Sequence, residues 1–348
     1  MGLGMRWRPV TAALAVLTGA GALTACGSSD ASGNGSELRL GYFPNITHAT
    51  ALVGVRKGFF TKNLGSGVEL TTATFNAGPA ATEALFSGAI DATYIGPSPS
   101  INAWSKSHGK AVKIISGAAS GGASLVVRPS IRSVEELRGK TIATPQLGNT
   151  QDVALRHFLR QKGLKTDKNG GGDVKVRPQD NSVTLQSFAQ GAIDGAWVPE
   201  PHASRLVLEN KGKRLVNEND LWPGRKFVIT NLLVRTEFLK AHPDLVKKLI
   251  KGSVEANEYI NAHPAEARKS ANDQLAALTG KPLKDDVSAS SFKEISFTDD
   301  PVAASLRQGA AHAREIGLLD PVDLRGIYDL GPLNEVLKSS GKSPVSDS

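Results

Sequence analysis

Small polar side chains, glycines and prolines gather in five segments of the sequence, each directly after a predicted strand. The segments are 41–48, 76–79, 96–100, 145–151 and 197–201. Because the carboxyl ends of parallel strands meet at one edge of a sheet, we expect these loops to lie close together. Free amide donors and the positive dipole end of a helix favour an anion or a group of polar oxygens at such an edge. The pattern predicts a binding site for a small polar molecule.

The same residue types are also ordinary helix caps. Ser98, Asn149 and Thr150 each stand at the start of a predicted helix, where a side-chain oxygen can accept from the helix's own amides. The binding interpretation therefore depends on all five loops sharing one edge, because no single residue among them decides it.

Short apolar runs alternate along the chain with amphipathic helical patterns. The predicted strands are 38–42, 68–74, 92–95, 141–143, 174–177 and 195–198, and the predicted helices are 50–60, 80–87, 152–162 and 182–189. Strands separated by helices are typical of an α/β fold, with mostly parallel sheets flanked by helices. Since the alternation stops after residue 95 and resumes at residue 141, we expect two sheets.

A later helix is predicted at 243–260. Leu245, Leu249 and Val254 recur there at helical spacing, and Asp244 stands in the first turn. We expect this apolar stripe to pack in a core and to have no cofactor role.

The sequence contains an internal echo. Residues 85–97 (LFSGAIDATYIGP) resemble residues 188–199 (FAQGAIDGAWVP), and the tetrapeptide Gly-Ala-Ile-Asp is identical in the two. Each copy predicts the end of a helix, a glycine that terminates it and then a strand. In the loop that follows, Pro97 or Pro199 is expected to start the next helix. The two halves of the chain are therefore predicted to repeat one α/β plan, with a cleft between them.

The N-terminus has the pattern of a bacterial lipoprotein signal peptide. Arg6 and Arg8 precede an apolar run at 9–23, and small residues lead to Cys26. That run is shorter than the roughly 20 residues of a spanning helix. Cys26 is the only cysteine, so no internal disulfide can form, and its position favours a lipid acceptor. We expect a signal peptide at 1–25, a lipidated Cys26 with a flexible tether at 26–36, and an extracytoplasmic location at the cell membrane.

Charge and motifs exclude several classes of function. The formal net charge is +8, and removing residues 1–25 with their two arginines lowers it to +6. The basic residues are scattered and aromatic residues make up only 5% of the chain, so we expect no nucleic-acid partner. The sequence has no Gly-x-Ser-x-Gly elbow, His-Glu-x-x-His helix, phosphate loop or Cys-x-x-Cys pair, and its seven histidines are dispersed. We expect no catalysis, no metal and no cofactor.

Two other classes stay open as alternatives. A secreted enzyme of the same fold could assemble its site from residues distant in sequence. A lipoprotein adhesin or scaffold would need an exposed apolar or repeated surface, and the sequence has neither beyond the internal echo.

Five segments together resemble the solute-binding proteins for nitrate, taurine and aliphatic sulfonates. They are LGYFPN at 40–45, GPAATEAL at 78–85, GAID at 88–91, YIGPSP at 94–99 and WVPEP at 197–201, and the resemblance runs from about residue 38 to at least residue 269. It implies a type II periplasmic-binding fold, in which two lobes joined by two hinge crossings close on a small solute. It also implies a monomer that delivers the solute to the permease, and through it to the ATPase, of an ATP-binding-cassette (ABC) importer.

By this resemblance the chain divides into discontinuous lobes. Lobe one is expected at 37–126 and 231–338, lobe two at 127–230, and a polar tail at 339–348. Matching positions also imply the ligand-binding residues, which are Asn45, Gly78, Ser98, Pro99, Asn149, Thr150, Trp197, Glu200 and Asn231.

Two of these residues carry alternatives. Trp197 is either a wall of the cleft or a core tryptophan at a strand end. The Glu200 carboxylate in the cleft would pair with an ammonium group or, with a raised pKa, donate a hydrogen bond, whereas as a first-turn helix acid it would point to solvent.

The segment Pro44–His48 (PNITH) is similar to binding proteins for the pyrimidine precursor of thiamine. That similarity adds His48 to the expected ligand-binding residues. The expected solute is therefore an aliphatic sulfonate, taurine or a related small anion, with a thiamine-type pyrimidine as the alternative.

Overall fold

The computed structural model of the protein describes residues 1–2 and 36–347. The predicted lipidated Cys26 and almost all of the predicted signal peptide and tether lie outside the described residues. Of the helices that the structure describes, none is both long enough and apolar enough to cross a membrane.

Strands and helices alternate through most of the described chain. The strands are β1 (Ser36–Tyr42), β2 (Val68–Thr74), β3 (Ala92–Ile95), β4 (Val112–Gly121), β5 (Ala123–Val127), β6 (Thr141–Thr144), β7 (Lys175–Pro178), β8 (Gly195–Pro199), β9 (Lys213–Asn217), β10 (Val228–Arg235) and β11 (Ile295–Phe297). The α-helices are α1 (Ala49–Arg56), α2 (Phe59–Leu64), α3 (Gly78–Phe86), α4 (Pro97–Lys106), α5 (Thr150–Gln161), α6 (Asn181–Ala189), α7 (His202–Leu208), α8 (Thr236–Ala241), α9 (Pro243–Ala262), α10 (Pro264–Thr279), α11 (Asp285–Lys293), α12 (Ala303–Glu315) and α13 (Gly331–Ser339).

These bounds agree with the predicted elements to within two residues, except in one helix. The helix predicted at 50–60 is divided into α1 and α2, because Gly58 between them has a left-handed φ of 73° that ends the first helix.

The strands form two sheets with the same internal order. One sheet runs β2-β1-β3-β10-β4-β11 and the other runs β7-β6-β8-β5-β9. In each sheet four strands share one direction, and the strand that enters from the other lobe, β10 or β5, runs against them. The first sheet has a sixth strand, β11, which pairs antiparallel with β4. We call the first sheet with its helices lobe one and the second lobe two.

The chain crosses between the lobes at places that differ from the predicted boundaries. Gly121 and Gly122, both with left-handed φ (83° and 82°), connect β4 of lobe one to β5 of lobe two, so lobe two begins near residue 123 and not at 127. The chain returns between β9 and β10, which places Val228 and its two successors in lobe one. The apolar run of β5 continues that of β4, so the sequence pattern could not show which sheet it joins.

The internal echo is a repeat in three dimensions. Gly88 and Gly191 both end a helix with left-handed φ, and the aspartate of each Gly-Ala-Ile-Asp precedes the third strand of its sheet. An Asp91 carboxylate oxygen accepts from the Arg39 amide at 3.0 Å, and an Asp194 oxygen accepts from the Thr141 amide at 2.8 Å. Each carboxylate thus ties its loop to the neighbouring strand in the same way.

The repeat has one departure from the prediction. Pro97 begins α4, as expected, but Pro199 does not begin a helix. It is the last residue of β8, where it lies opposite Ala123, and α7 starts three residues later at His202.

The C-terminal segment packs mainly on lobe one. The stripe predicted on α9 is buried there, with Leu245, Leu249 and Val254 in the core, and α9 lies against α1 and α2. Strand β11, which the sequence did not predict, extends the sheet beyond β4. The predicted polar tail is held by α13, because Asn334 exchanges two hydrogen bonds with the backbone of Val345 at 3.0 and 2.8 Å.

Candidate ligand-binding cleft

A small polar cavity of about 20 Å³ lies between the two lobes. Its lining comes from Phe43, Asn45, Thr47, His48, Asn76, Gly96 and Ile229 of lobe one and from Asn149, Thr150, Gln151, Asn181 and Pro199 of lobe two. A space of this size holds one or two water molecules, so the two lobes are close together here.

Several helices begin at this cavity. Gly96 is the N-cap of α4, Asn149 is the N-cap of α5, Asn181 is the first residue of α6, and Asn45 precedes the short 3-10 turn that leads into α1. The first amides of a helix lack partners within it, and the helix dipole places partial positive charge at this end. In α4 the Ser98 amide provides this donor, because Pro97 and Pro99 have no amide hydrogen. None of the described residues that line the cavity carries a Lys, Arg, Asp or Glu side chain. The cavity therefore attracts negative charge through oriented backbone groups.

His48 is a buried donor at the cavity. Its Nδ1 accepts from the Phe43 amide at 3.2 Å, and its ring stacks on the Phe43 ring with 4.3 Å between centroids. Burial lowers the pKa of His48 to about 3, so the imidazole is neutral at physiological pH. With Nδ1 occupied as an acceptor, the ring proton resides on Nε2.

Two side-chain atoms at the cavity have no hydrogen-bond partner among the described residues. They are the hydroxyl oxygen of Thr150 and the amide oxygen of Asn181, on residues that are only 8% and 9% exposed. An unsatisfied buried polar atom costs about 1–3 kcal/mol. A solute that offers both acceptors and a donor would satisfy these two atoms.

Four of the predicted ligand-binding residues meet at the cavity: Asn45, His48, Asn149 and Thr150. Three others, Gly78, Ser98 and Pro99, lie at the starts of α3 and α4 and do not line it. Gly78 has a packing role, since a β-carbon there would stand 2.0 Å from Pro99 Cγ. Asn231 is fully buried in β10 and both polar atoms of its side chain lack a partner among the described residues, but it too lies outside the lining.

Trp197 is a core residue and not a wall of the cleft. Its side chain is fully buried, its indole nitrogen donates to a Glu218 carboxylate oxygen at 2.7 Å, and its ring contacts that of Phe158. The strand position of Trp197 directs it into the core of lobe two.

Glu200 does not point to solvent, and its carboxylate binds protein groups. It accepts from the Ser204 amide at 3.0 Å, the Ser291 hydroxyl at 3.1 Å and Arg214 Nη2 at 2.9 Å. Burial raises the pKa of Glu200, and Arg214 opposes that rise. Since Arg214 also pairs with Glu294, this network joins lobe two to the end of α11.

Several lining residues were not among the predicted ones. Asn181 was missed although it follows β7 at a helix start, which is the same signal that identified Thr150 after β6. The prediction also missed seven other lining residues, because only the fold shows which side of each loop faces the other lobe. They are Phe43, Thr47, Asn76, Gly96, Gln151, Pro199 and Ile229. Among the described residues, no group of three His, Cys, Asp or Glu side chains is placed to hold a metal ion.

The sequence matches a family model along most of its length. The model is described as the NMT1-like family and matches residues 31–276. The chain belongs to the NMT1-like family.

Relatives of this NMT1-like protein include binding proteins. A putative binding protein of Brucella abortus (strain 2308) is 27% identical over 289 residues, which cover 81% of this chain and 84% of that protein. The taurine-binding periplasmic protein of Escherichia coli (strain K12) is 28% identical over 222 residues, which cover 63% of this chain and 67% of that protein.

A solved structure has the same fold. The alkanesulfonate-binding protein from Xanthomonas axonopodis pv. citri, bound to MOPS, aligns with a TM-score of 0.71 and 20% identity over 85% of this chain and 99% of that one. The prediction of a two-lobed α/β fold of the periplasmic-binding type is confirmed.

Proposed function

We propose that this NMT1-like protein is the extracytoplasmic solute-binding component of an ABC importer, and that its solute is a small organic anion, with sulfonates as the first candidates. The observation that carries the proposal is the cavity between the lobes, where helix starts from both lobes converge and the Thr150 hydroxyl has no partner in the part of the chain that the structure describes. Relatives with names that include taurine and alkanesulfonate binding support the ligand class.

The mechanism is closure of one lobe on the other. In the open protein a solute binds first to lobe one, at the start of α4 and beside His48. Lobe two then turns about Gly121 and Gly122 and brings the start of α5 onto the solute. Because both lobes contribute contacts, only the closed, loaded form has the full affinity and the shape that the permease recognises.

A sulfonate suits the chemistry of this cavity. Its oxygens can accept hydrogen bonds from the free amides at the helix starts, from the Thr150 hydroxyl and from Nε2–H of His48. The negative charge needs no basic side chain, because helix N-termini stabilise anions by their dipoles.

We also propose a membrane anchor and a monomeric state for this protein. A lipid on Cys26 would tether the protein to the outer surface of the cell membrane, next to its permease. The protein would act as a monomer, without a cofactor and without turning over its solute.

A thermal-shift screen of the purified protein tests the function. The panel contains taurine, alkanesulfonates, nitrate, bicarbonate and a thiamine-type pyrimidine. A ligand at roughly hundredfold excess over its Kd adds about 2.7 kcal/mol to the free energy of unfolding, so a true solute raises the melting temperature visibly. Failure of every anion to raise it would reject the proposed ligand class.

One observation favours the pyrimidine as a second candidate. The stacked rings of Phe43 and His48 both line the cavity and could accept a flat heterocycle beside them. A melting-temperature increase with the pyrimidine and none with the anions would select that candidate.

A further inference from the structure

A groove of about 500 Å³ adjoins the cavity. The two spaces share Phe43, Asn45, Asn76 and Asn181 in their linings, so the groove opens directly onto the cavity. Its other walls come from the starts of α6 and α7 and from residues 275–284, between lobe two and the C-terminal segment. A solute whose head occupies the cavity can therefore extend into the groove.

The lining of the groove suits a short organic chain. Apolar surface comes from Phe43, Pro44, Pro201, Leu275, Pro282 and Leu283. Removing an alkyl chain from water against such surface is favourable, and the gain grows with each methylene buried. A bare inorganic anion would leave this surface unused.

Most charged groups of the groove already have partners. Arg205 Nε donates to a Glu209 carboxylate oxygen at 2.8 Å, and Lys284 Nζ lies 3.9 Å from the same carboxylate. Lys281 is exposed. The negative charge of Glu209 is therefore largely balanced within the groove.

Asp180 differs from the other carboxylate of the groove. It is the N-cap residue of α6, yet its side chain accepts no hydrogen bond from that helix. Its side-chain partner is the Asn76 amide of lobe one, at 3.4 Å, and among the described residues no basic group lies within ion-pair distance of it. It directly precedes Asn181, which lines both spaces. A carboxylate without a cation thus stands where the cavity opens into the groove.

We propose that Asp180 makes the site selective for a zwitterion, a solute whose oxyanion head occupies the cavity and whose ammonium group, a few atoms away, pairs with Asp180. The inference rests on the proposed function and names its substrate class. The Asn76 amide, which now contacts Asp180 across the cleft, would share or yield the carboxylate when the ammonium group binds. An anion with an alkyl tail would fill the same space and leave the carboxylate unpaired.

Isothermal titration of the purified full chain with taurine and propane-1-sulfonate tests this proposal. The two compounds have the same number of heavy atoms in the chain, and an ammonium group in one replaces a methyl group in the other. A charge-assisted hydrogen bond predicts that taurine binds at least about tenfold more tightly. Asp180→Asn should bring the two affinities within about threefold of each other, by weakening taurine alone.

Two further variants distinguish an ion pair between Asp180 and the ammonium group from the effects of net charge and of misfolding. Asp320→Asn removes one negative charge at an exposed residue that lines neither space, and it should keep the full taurine preference. Asp180→Lys should reverse the preference and bind sulfoacetate more tightly than taurine, a gain that a misfolded variant cannot show.

The outcomes distinguish this inference from the proposed function. Tight binding of propane-1-sulfonate with no preference for taurine would leave the proposed function standing and overturn the zwitterion. Retention of the taurine preference in Asp180→Asn would also overturn it. Absence of binding by both compounds, and by every anion of the thermal-shift panel, would overturn both.

Discussion

Gly96 of lobe one faces Thr150 of lobe two so closely that a β-carbon on residue 96 would stand 2.4 Å from the Thr150 hydroxyl oxygen. The backbone of Gly96 is extended, with φ of −72° and ψ of 162°, so alanine could adopt it. The glycine is therefore required by the approach of the other lobe and not by its own conformation.

Gly96→Ala should hinder closure and leave the open protein folded. We expect a loss of solute affinity of tenfold or more without a lower melting temperature of the unliganded protein. Adding Thr150→Ala removes the obstructing oxygen, so the double variant should bind as well as Thr150→Ala alone. Titration of the three variants measures this non-additivity.

Gly309→Ala is a matched control, because that helical glycine has no atom near its missing β-carbon. Affinity in Gly96→Ala equal to that in Gly309→Ala would show that the close approach does not govern binding.

Thr150→Ala should weaken solute binding by about 1 kcal/mol or more, since the hydroxyl is buried at the cavity and none of residues 36–347 is its hydrogen-bond partner. Ser98→Ala should have a smaller effect, because Ser98 lies at the start of α4 but outside the cavity lining. Titration calorimetry compares the two variants. Equal losses in both would place Ser98 on the solute as well, and no loss in Thr150→Ala would show that its hydroxyl does not bind the solute.

The elements that carry the site were predictable from the sequence, whereas side-chain directions were not. Thr150 and Asn149 follow a predicted strand and start a helix, so chain position alone brought them to the cleft. Trp197 lies near the end of β8 and Glu200 directly follows that strand, but the Trp197 side chain enters the core and Glu200 pairs with Arg214. Those outcomes depend on partners more than ten residues away in sequence.

The boundaries between the lobes were also not predictable from the sequence. From Ile114 onward, β4 and β5 form an apolar run interrupted only by small residues, and the change of sheet occurs at Gly121 and Gly122. Their left-handed φ values are a property of the fold, and a pair of glycines in a sequence is compatible with many turns.

Arg214→Met should destabilise the protein by about 3–5 kcal/mol, because it leaves the buried Glu200 carboxylate without its cation. Combining it with Glu200→Gln removes the uncompensated charge and should recover much of that loss. Urea unfolding measures both variants. A double variant no more stable than Arg214→Met would mean that packing of the arginine, and not charge, dominates.

Glu218→Gln should change the pH dependence of stability. Burial raises the pKa of Glu218 from its ordinary value of 4.5 to about 7, so the folded state holds a proton that the unfolded state releases between these values. This carboxyl therefore lowers stability as pH rises from about 4.5 to about 7, by up to about 3 kcal/mol. Glutamine cannot ionise and still offers an oxygen to the Trp197 indole.

The free energy of unfolding of Glu218→Gln relative to the unsubstituted protein should thus increase over that pH range and be constant above it. Chemical unfolding at pH 4.5, 6 and 8 provides the three points. A difference that does not vary with pH would mean that Glu218 ionises in the folded protein as it does in the unfolded one.

Small-angle X-ray scattering of the purified protein, with and without a saturating solute from the thermal-shift panel, tests the closure of the lobes most directly. We expect the bound solute to reduce the radius of gyration, because closure brings the start of α5 onto the solute at lobe one. A radius of gyration that is the same with and without bound solute would show that the two lobes do not close on it.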